Sequence, residues 1–228
     1  MPDLFLLVFL TMNAGLFDEH IGWSEERIEL AEGAVVLRGF ALPLAAELVT
    51  YIEAISAQSP FRHLMTPGGQ RMSVAMTNCG GLGWTSGTGG YRYTTVDPLT
   101  EQPWPAMPPM FLDLAARAAA AAGFPGFVPD ACLVNRYEPG SRLTMHQDRN
   151  ERSDQQPIVS VSLGVPARFR FGGQGRDVPP KEVPLFHGDV VVWGGPSRMN
   201  YHGILPLKEA SHPLTGNLRY NLTFRTAR

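Results

Sequence analysis

Ile158-Val159-Ser160-Val161-Ser162-Leu163 is the stretch on which the fold turns. Val159, Val161 and Leu163 alternate with two serines. That period of two belongs to a strand, whose successive side chains point to opposite faces. The spacing predicts a half-buried strand with its serines turned away from the core. Working outward, similar short runs occupy 132–137, 142–146, 168–171, 190–193, 199–202 and 219–225, separated by Gly- and Pro-rich turns. Seven short strands of this kind predict a mainly β fold: a sandwich, barrel or jelly roll. Two flanking helices precede them. In 42–57, Leu44, Leu48, Tyr51, Ile52 and Ile55 recur at helical spacing. The segment 109–122 opens on Pro109 and stops at Gly123, as helices often do.

Composition sets the outer limits. The 228 residues suit one domain, and 44% hydrophobic content is enough to bury a core. Only 18% of residues are charged, which excludes a disordered polyelectrolyte. A net charge of −2 argues against a protein coated in basic surface. Cys79 and Cys132 are too few for a disulfide framework, and both fit a reducing cytoplasm. The apolar run Leu4 to Leu10 falls far short of the ~20 residues that span a bilayer, and Asp3 is wrong for a signal peptide. We therefore expect a cytoplasmic monomer with no membrane attachment. Residues 1–32 read as a partly ordered extension whose true start is Met1 or Met12, and 33–228 as one domain.

The chemistry begins at His146-Gln147-Asp148. Residues i and i+2 of a strand share a face, so an imidazole and a carboxylate can address one ion. Two histidines and one carboxylate on one face of iron(II) leave positions open for a cosubstrate and oxygen. His202 follows far enough along to allow several intervening strands. His187-Gly188-Asp189 has the same pattern, but His202 then follows after only one hairpin, and Gly188 marks a turn. His146, Asp148 and His202 are therefore the expected metal ligands. The last strand adds an anion site. Arg219, Asn221, Thr223 and Arg225 share one face. Arginine avoids interiors unless paired, and its fork fits a carboxylate with two hydrogen bonds. A solvated strand face is the plain alternative. Between the helices, 66–105 carries Trp84, Tyr91, Tyr93 and Trp104 among paired glycines. It reads either as a lid or binding surface built from hairpins or as irregular packing over a core.

Seven segments, SPFRHLMTPGG, MSVAMTNCGGLGWT, PWPAMP, PDACLVNRYEPGSRLTMHQD, IVSVSLGVPARFRFGG, HGDVVVWGGPSRMNYHGI and RYNLTFR, together resemble the AlkB family of nucleic-acid dealkylation dioxygenases. The resemblance runs from about Gly33 to Arg225. It implies a double-stranded β-helix core and iron(II) held by His146, Asp148 and His202. It implies 2-oxoglutarate and O2 as cosubstrates, with Asn135, Tyr137, Arg219, Asn221 and Arg225 around 2-oxoglutarate and Arg219 on its distal carboxylate. It makes 66–105 a nucleotide-recognition lid and gives Trp84, Tyr91, Met76, Asn150, Glu151 and Arg176 to the substrate. The implied reaction is DNA repair by oxidative demethylation of 1-methyladenine- or 3-methylcytosine-type bases in single-stranded DNA or RNA. Formaldehyde and succinate are the implied products.

Two positions depart from the family pattern. Asn150 stands where an acidic residue is common, and Gln70 replaces a lid aromatic. An asparagine can bond a base edge but carries no charge to draw a cationic base. Arg149, Arg152, Arg168 and Arg170 are further candidates for nucleic-acid contact, each equally readable as a surface charge. The nearest alternative is a related dioxygenase acting on a protein or small molecule, which has no need of Trp84 and Tyr91. A noncatalytic lesion binder is the other class, and it has no need of the triad.

Overall fold

The computed structural model describes residues 26–152 and 154–228. The apolar run at Leu4 to Leu10 and the choice of start lie outside the described residues. The chain opens with strands β1 (Arg27–Ala31) and β2 (Ala34–Leu37), then helix α1 (Ala45–Gln58). Strands β3 (Arg62–Met65), β4 (Arg71–Gly80), β5 (Gly83–Gly87) and β6 (Gly90–Thr94) lead to helix α2 (Pro109–Ala121). Eight more strands complete it: β7 (Ala131–Tyr137), β8 (Leu143–His146), β9 (Ile158–Gly164), β10 (Ala167–Phe171), β11 (Lys181–Leu185), β12 (Val190–Trp193), β13 (His202–Ile204) and β14 (Arg219–Arg225).

The strands form a large sheet ordered β1-β2-β12-β9-β14-β7-β4-β3 and a smaller one ordered β11-β10-β13-β8, with β5-β6 as a separate hairpin. The two larger sheets make the jelly-roll core. The outer face of the large sheet, including Val159, Val161, Leu163, Leu222 and Phe224, packs against Leu48 and Ile52 of α1 and Phe111 and Leu114 of α2. Both helices follow from local sequence. Leu48, Ile52 and Ile55 fall on one buried stripe of α1, and Pro60 follows just beyond its end at Gln58. Pro109 starts α2, and Gly123 just past its end takes φ 92°, a left-handed cap that glycine adopts without strain.

The serine face of β9 corrects the half-buried reading. All seven residues of β9 are buried, so Ser160 and Ser162 do not face solvent. They face the interior between the sheets, where their hydroxyls accept hydrogen bonds from Asn221 and Arg219. A period of two reports two unlike faces, and here the polar one lines an internal site. Other boundaries differ as well. Residues 42–44 form a 3-10 turn ahead of α1, and 195–197 form another ahead of β13, which begins at His202 rather than 199. β1 lies in the large sheet, so the extension set at 1–32 overlaps a paired strand. β4 is likewise integral to that sheet, and within 66–105 the β5–β6 hairpin is the separate element.

The second His-x-Asp motif is structural. Asp189 is buried and accepts hydrogen bonds from Arg38 and from the backbone N–H groups of Gly39 and Phe186. His187 accepts the Gly164 N–H at 2.9 Å through Nδ1, and its ring lies 4.2 Å from that of His212. Burial first, and the neighbouring His212 second, push the His187 pKa down to about 4. The folded state thus binds fewer protons than the unfolded chain between about 6.5 and 4. Stability should fall as pH drops through that window. His187→Gln should flatten this part of a curve of thermal midpoint against pH.

Candidate metal and cosubstrate site

β8 and β13 are hydrogen-bonded neighbours, and their register places His146 directly opposite His202. Strand pairing thus joins two residues that are distant in sequence. His146 Nδ1 donates to the Thr144 carbonyl at 2.8 Å, and His202 Nδ1 to the Asn200 carbonyl at 3.1 Å. Each bond fixes a tautomer with a free Nε2 lone pair, the form a metal requires. Both Nε2 atoms lie 3.8 Å from the Asp148 carboxylate. One ligand atom from each of the three residues falls within 4.8 Å of the others. Among the described residues this is the cluster that could hold a metal ion. Burial and the nearby His146 push the His202 pKa down to about 3, so the ring stays neutral. Burial would raise the Asp148 pKa, but Arg225 and the two histidines outweigh it and hold the carboxyl below the usual range.

The interior face of β14 supplies the anion site. Arg219 is 1% exposed. One nitrogen donates to Ser162 Oγ at 3.0 Å, and the guanidinium lies 4.7 Å from the centre of the Tyr137 ring. Its Nε and Nη1 are buried without a hydrogen-bond partner. A buried cation with two unused donors is costly unless an anion meets it. Asn135 and Asn221 sit opposite each other on β7 and β14 and bond side chain to side chain at 3.1 Å, with Asn135 Oδ1 also unpartnered. The donor set therefore fits iron(II) at the triad and a carboxylate of 2-oxoglutarate at Arg219.

Arg225 is differently engaged. Its Nε and Nη2 donate to Asp148 Oδ2 at 3.0 and 2.7 Å. Glu151, expected at the substrate, has a side chain only 3% exposed and pairs with Arg198 at 3.1 Å. It also accepts the Tyr93 hydroxyl at 2.6 Å. Sequence reading missed Arg198 and gave Tyr93 no role. Tyr93 did carry a signal, since it sits two residues from Tyr91 on the same strand face.

The other expected substrate residues gather around the β5–β6 hairpin. Trp84 and Tyr91 stack with ring centres 5.4 Å apart. Trp84 Nε1 donates to Asn150 Oδ1 at 3.1 Å. Met76 is buried on β4 and, with Trp84 and Trp104, lines a cavity of about 220 Å³. A Cβ on Gly83 would lie 2.3 Å from Trp104, so glycine lets the hairpin close onto that ring. Gln70 is exposed in the β3–β4 turn. Arg176 lies over the Tyr201 ring at 4.7 Å. Arg168 and Arg170 both face Glu182 across β10 and β11, which offsets their charge. Arg149 and Arg152 instead border a cavity of about 380 Å³ that Asp148 also lines.

Comparison with known proteins agrees with this geometry. The family model described as 2OG-Fe(II) oxygenase superfamily matches residues 33–225. The chain is 58% identical to the alpha-ketoglutarate-dependent dioxygenase AlkB of Escherichia coli, over 93% of this chain and 97% of that one. It is 37% identical to mouse "Nucleic acid dioxygenase ALKBH1" over 40% of this chain and 23% of that protein. The solved structure of OsALKBH1 superposes with a TM-score of 0.78 at 27% identity, covering 88% of this chain and all of that one.

Proposed function

Because this chain belongs to the AlkB family within the 2OG-Fe(II) oxygenase superfamily, we propose that it removes alkyl groups from nucleic-acid bases by oxidation. Iron(II), 2-oxoglutarate and O2 are the cofactor and cosubstrates of the family. The observation that carries the reading is Arg219, a buried guanidinium with two unused donors on β14, the strand whose Arg225 also bonds Asp148 of the His-Asp-His cluster. Iron(II) held there would use O2 to hydroxylate the N-methyl carbon, one oxygen atom going to that carbon and the other to succinate as 2-oxoglutarate loses CO2; the hydroxymethyl group would then leave as formaldehyde and restore the base.

The chain's own residues do the positioning. His146, His202 and Asp148 would hold the metal, and Arg219 would hold the distal carboxylate through a two-pronged fork. Asn135, Tyr137 and Asn221 would line the rest of the diacid's site. A base inside a duplex cannot reach a buried centre, so it must be unpaired or flipped out, at a few kcal/mol. Stacking on an aromatic face returns roughly 1–3 kcal/mol per base. Trp84 and Tyr91 offer such a face, and a cationic methylated base suits it. Such a base pairs poorly and flips cheaply, and in single-stranded DNA or RNA, the substrate we propose, even that pairing cost is absent. Asn150 Oδ1 accepts the Trp84 indole N–H, and its amide NH2 would be left to donate to a base edge without adding charge. Among the described residues no helix is long and apolar enough to cross a membrane.

Product mass spectrometry on oligonucleotides carrying single defined methyl lesions tests the proposal. Formaldehyde and restored base are expected from the oligonucleotides. Turnover confined to free nucleosides, peptides or small acids would refute the nucleic-acid reading. Arg176, at the expected mouth of the base pocket, should act on affinity. Arg176→Ala is expected to weaken binding of all methylated oligonucleotides alike and to lower the salt dependence by about one charge. Unchanged affinity at low salt would remove it from the interface.

A further inference from the structure

Glu151 is held on several sides by contacts within the protein. One of its oxygens accepts the Tyr93 hydroxyl at 2.6 Å and lies 3.4 Å from Arg225 Nε, while the other pairs with Arg198 at 3.1 Å. The glutamate and Arg198 side chains are each 3% exposed, and that of Arg225 is 7%. Arg225 in turn donates twice to Asp148 Oδ2. A continuous polar path therefore runs from the β6 strand of the hairpin, through Tyr93, Glu151 and Arg225, to the carboxylate of the metal cluster. The same hairpin bears Tyr91 stacked on Trp84, and Trp84 makes a second tie to the 149–151 loop through Asn150.

We propose that Tyr93 and Glu151 are positioning residues that latch the aromatic hairpin to Arg225, so that base binding under the hairpin and 2-oxoglutarate loading beside Asp148 are coupled. The chemistry of the path supports this. Arg225 fixes one carboxylate oxygen of Asp148 and leaves the other for the metal. Glu151 fixes Arg225. Closing the hairpin completes the set by delivering the one hydroxyl that Glu151 accepts from it. Opening the hairpin removes that donor and frees Arg225 to shift. Coupling between two sites is reciprocal, so the cosubstrate should also favour the closed hairpin. The proposal rests on the nucleic-acid reading above, and its test separates the two.

The test titrates 2-oxoglutarate anaerobically into iron(II)-loaded protein by calorimetry, with and without a short single strand carrying one 1-methyladenine. In the wild type the oligonucleotide is expected to tighten 2-oxoglutarate binding by about five-fold or more, within the usual range for linked sites. Tyr93→Phe keeps the ring and loses only the hydroxyl, and it should bring that factor to within about two of unity. Glu151→Gln should do the same, because it removes the charge that holds Arg225. Hydrogen exchange across 83–94 should rise in Tyr93→Phe. A merely structural Tyr93 would lower the thermal midpoint and leave the coupling factor intact. An uncoupled wild type, or a coupled Tyr93→Phe, overturns the latch even if aerobic wild-type protein releases formaldehyde from the same strand. Absence of that formaldehyde overturns the nucleic-acid reading and the latch together.

Discussion

Asp148→Ala should abolish succinate formation from 2-oxoglutarate, and His146→Ala and His202→Ala should do the same. Outer partners of a metal ligand typically contribute 10–100-fold to metal affinity or activity, so loss of a ligand should exceed about 100-fold. Asp148 is the most telling of the three. Its carboxylate lies within reach of both imidazoles and also anchors Arg225. Removing it deletes the one negative charge of the cluster and leaves the buried Arg225 with Glu151 alone. Two readouts check this: succinate by mass spectrometry and iron content after anaerobic loading. Turnover retained in all three variants would refute the ligand assignment. His187→Ala, at the other His-x-Asp motif, should keep its iron, since that ring is bound to the Gly164 N–H in a turn.

Arg219→Met should give effects of opposite sign on binding and on stability. Cutting one side of a buried, hydrogen-bonded charge pair costs about 2–5 kcal/mol, so 2-oxoglutarate affinity should fall by at least about 30-fold. Without 2-oxoglutarate, however, the wild-type guanidinium is buried with two donors unused. An apolar side chain of similar length removes that cost, and such replacements are often neutral or stabilising by about 1–4 kcal/mol. The thermal midpoint of the variant should therefore match or exceed that of the wild type when 2-oxoglutarate is absent. Adding 2-oxoglutarate at 100 times the wild-type dissociation constant should stabilise the wild type by about 2.7 kcal/mol and the variant by about 0.9 kcal/mol or less. A variant that retains the full ligand shift would refute the anion role of Arg219.

Much of this site was legible from residue types and spacing. An imidazole and a carboxylate two residues apart can address one ion, so His146 and Asp148 could be paired from sequence, although β8 ends at His146 and Asp148 lies just past it. The run Arg219 to Arg225 showed two arginines on one face, and arginines so placed call for an anion. The helices were legible for the same reason, because Leu48, Ile52 and Ile55 repeat at the helical period and Gly123 can take the left-handed cap. The family pattern added the substrate class, which no spacing rule could give.

Other features were illegible because they depend on what stands opposite. The Ser160 and Ser162 face looks like a solvent face until Asn221 and Arg219 of β14 are placed across from it. Arg168 and Arg170 look like nucleic-acid contacts until β11 brings Glu182 beside them. Glu151 follows the metal carboxylate closely in sequence and so reads as a substrate contact. Tertiary packing instead encloses it between Tyr93, Arg198 and Arg225.

By itself, then, the sequence determined the strand period, the buried helix stripes, the pairing of His146 with Asp148 and the charged face of β14. Each depends on backbone geometry repeated within one segment, which a chain carries locally. The tertiary structure alone decided that β13 lies beside β8 with His202 opposite His146, that Asp189 takes Arg38 as its partner, and that Glu151 lies beside Arg225. These are choices of partner between segments far apart in the chain. Strand order and burial make them, because a buried charge must take whichever opposite group the fold brings within reach.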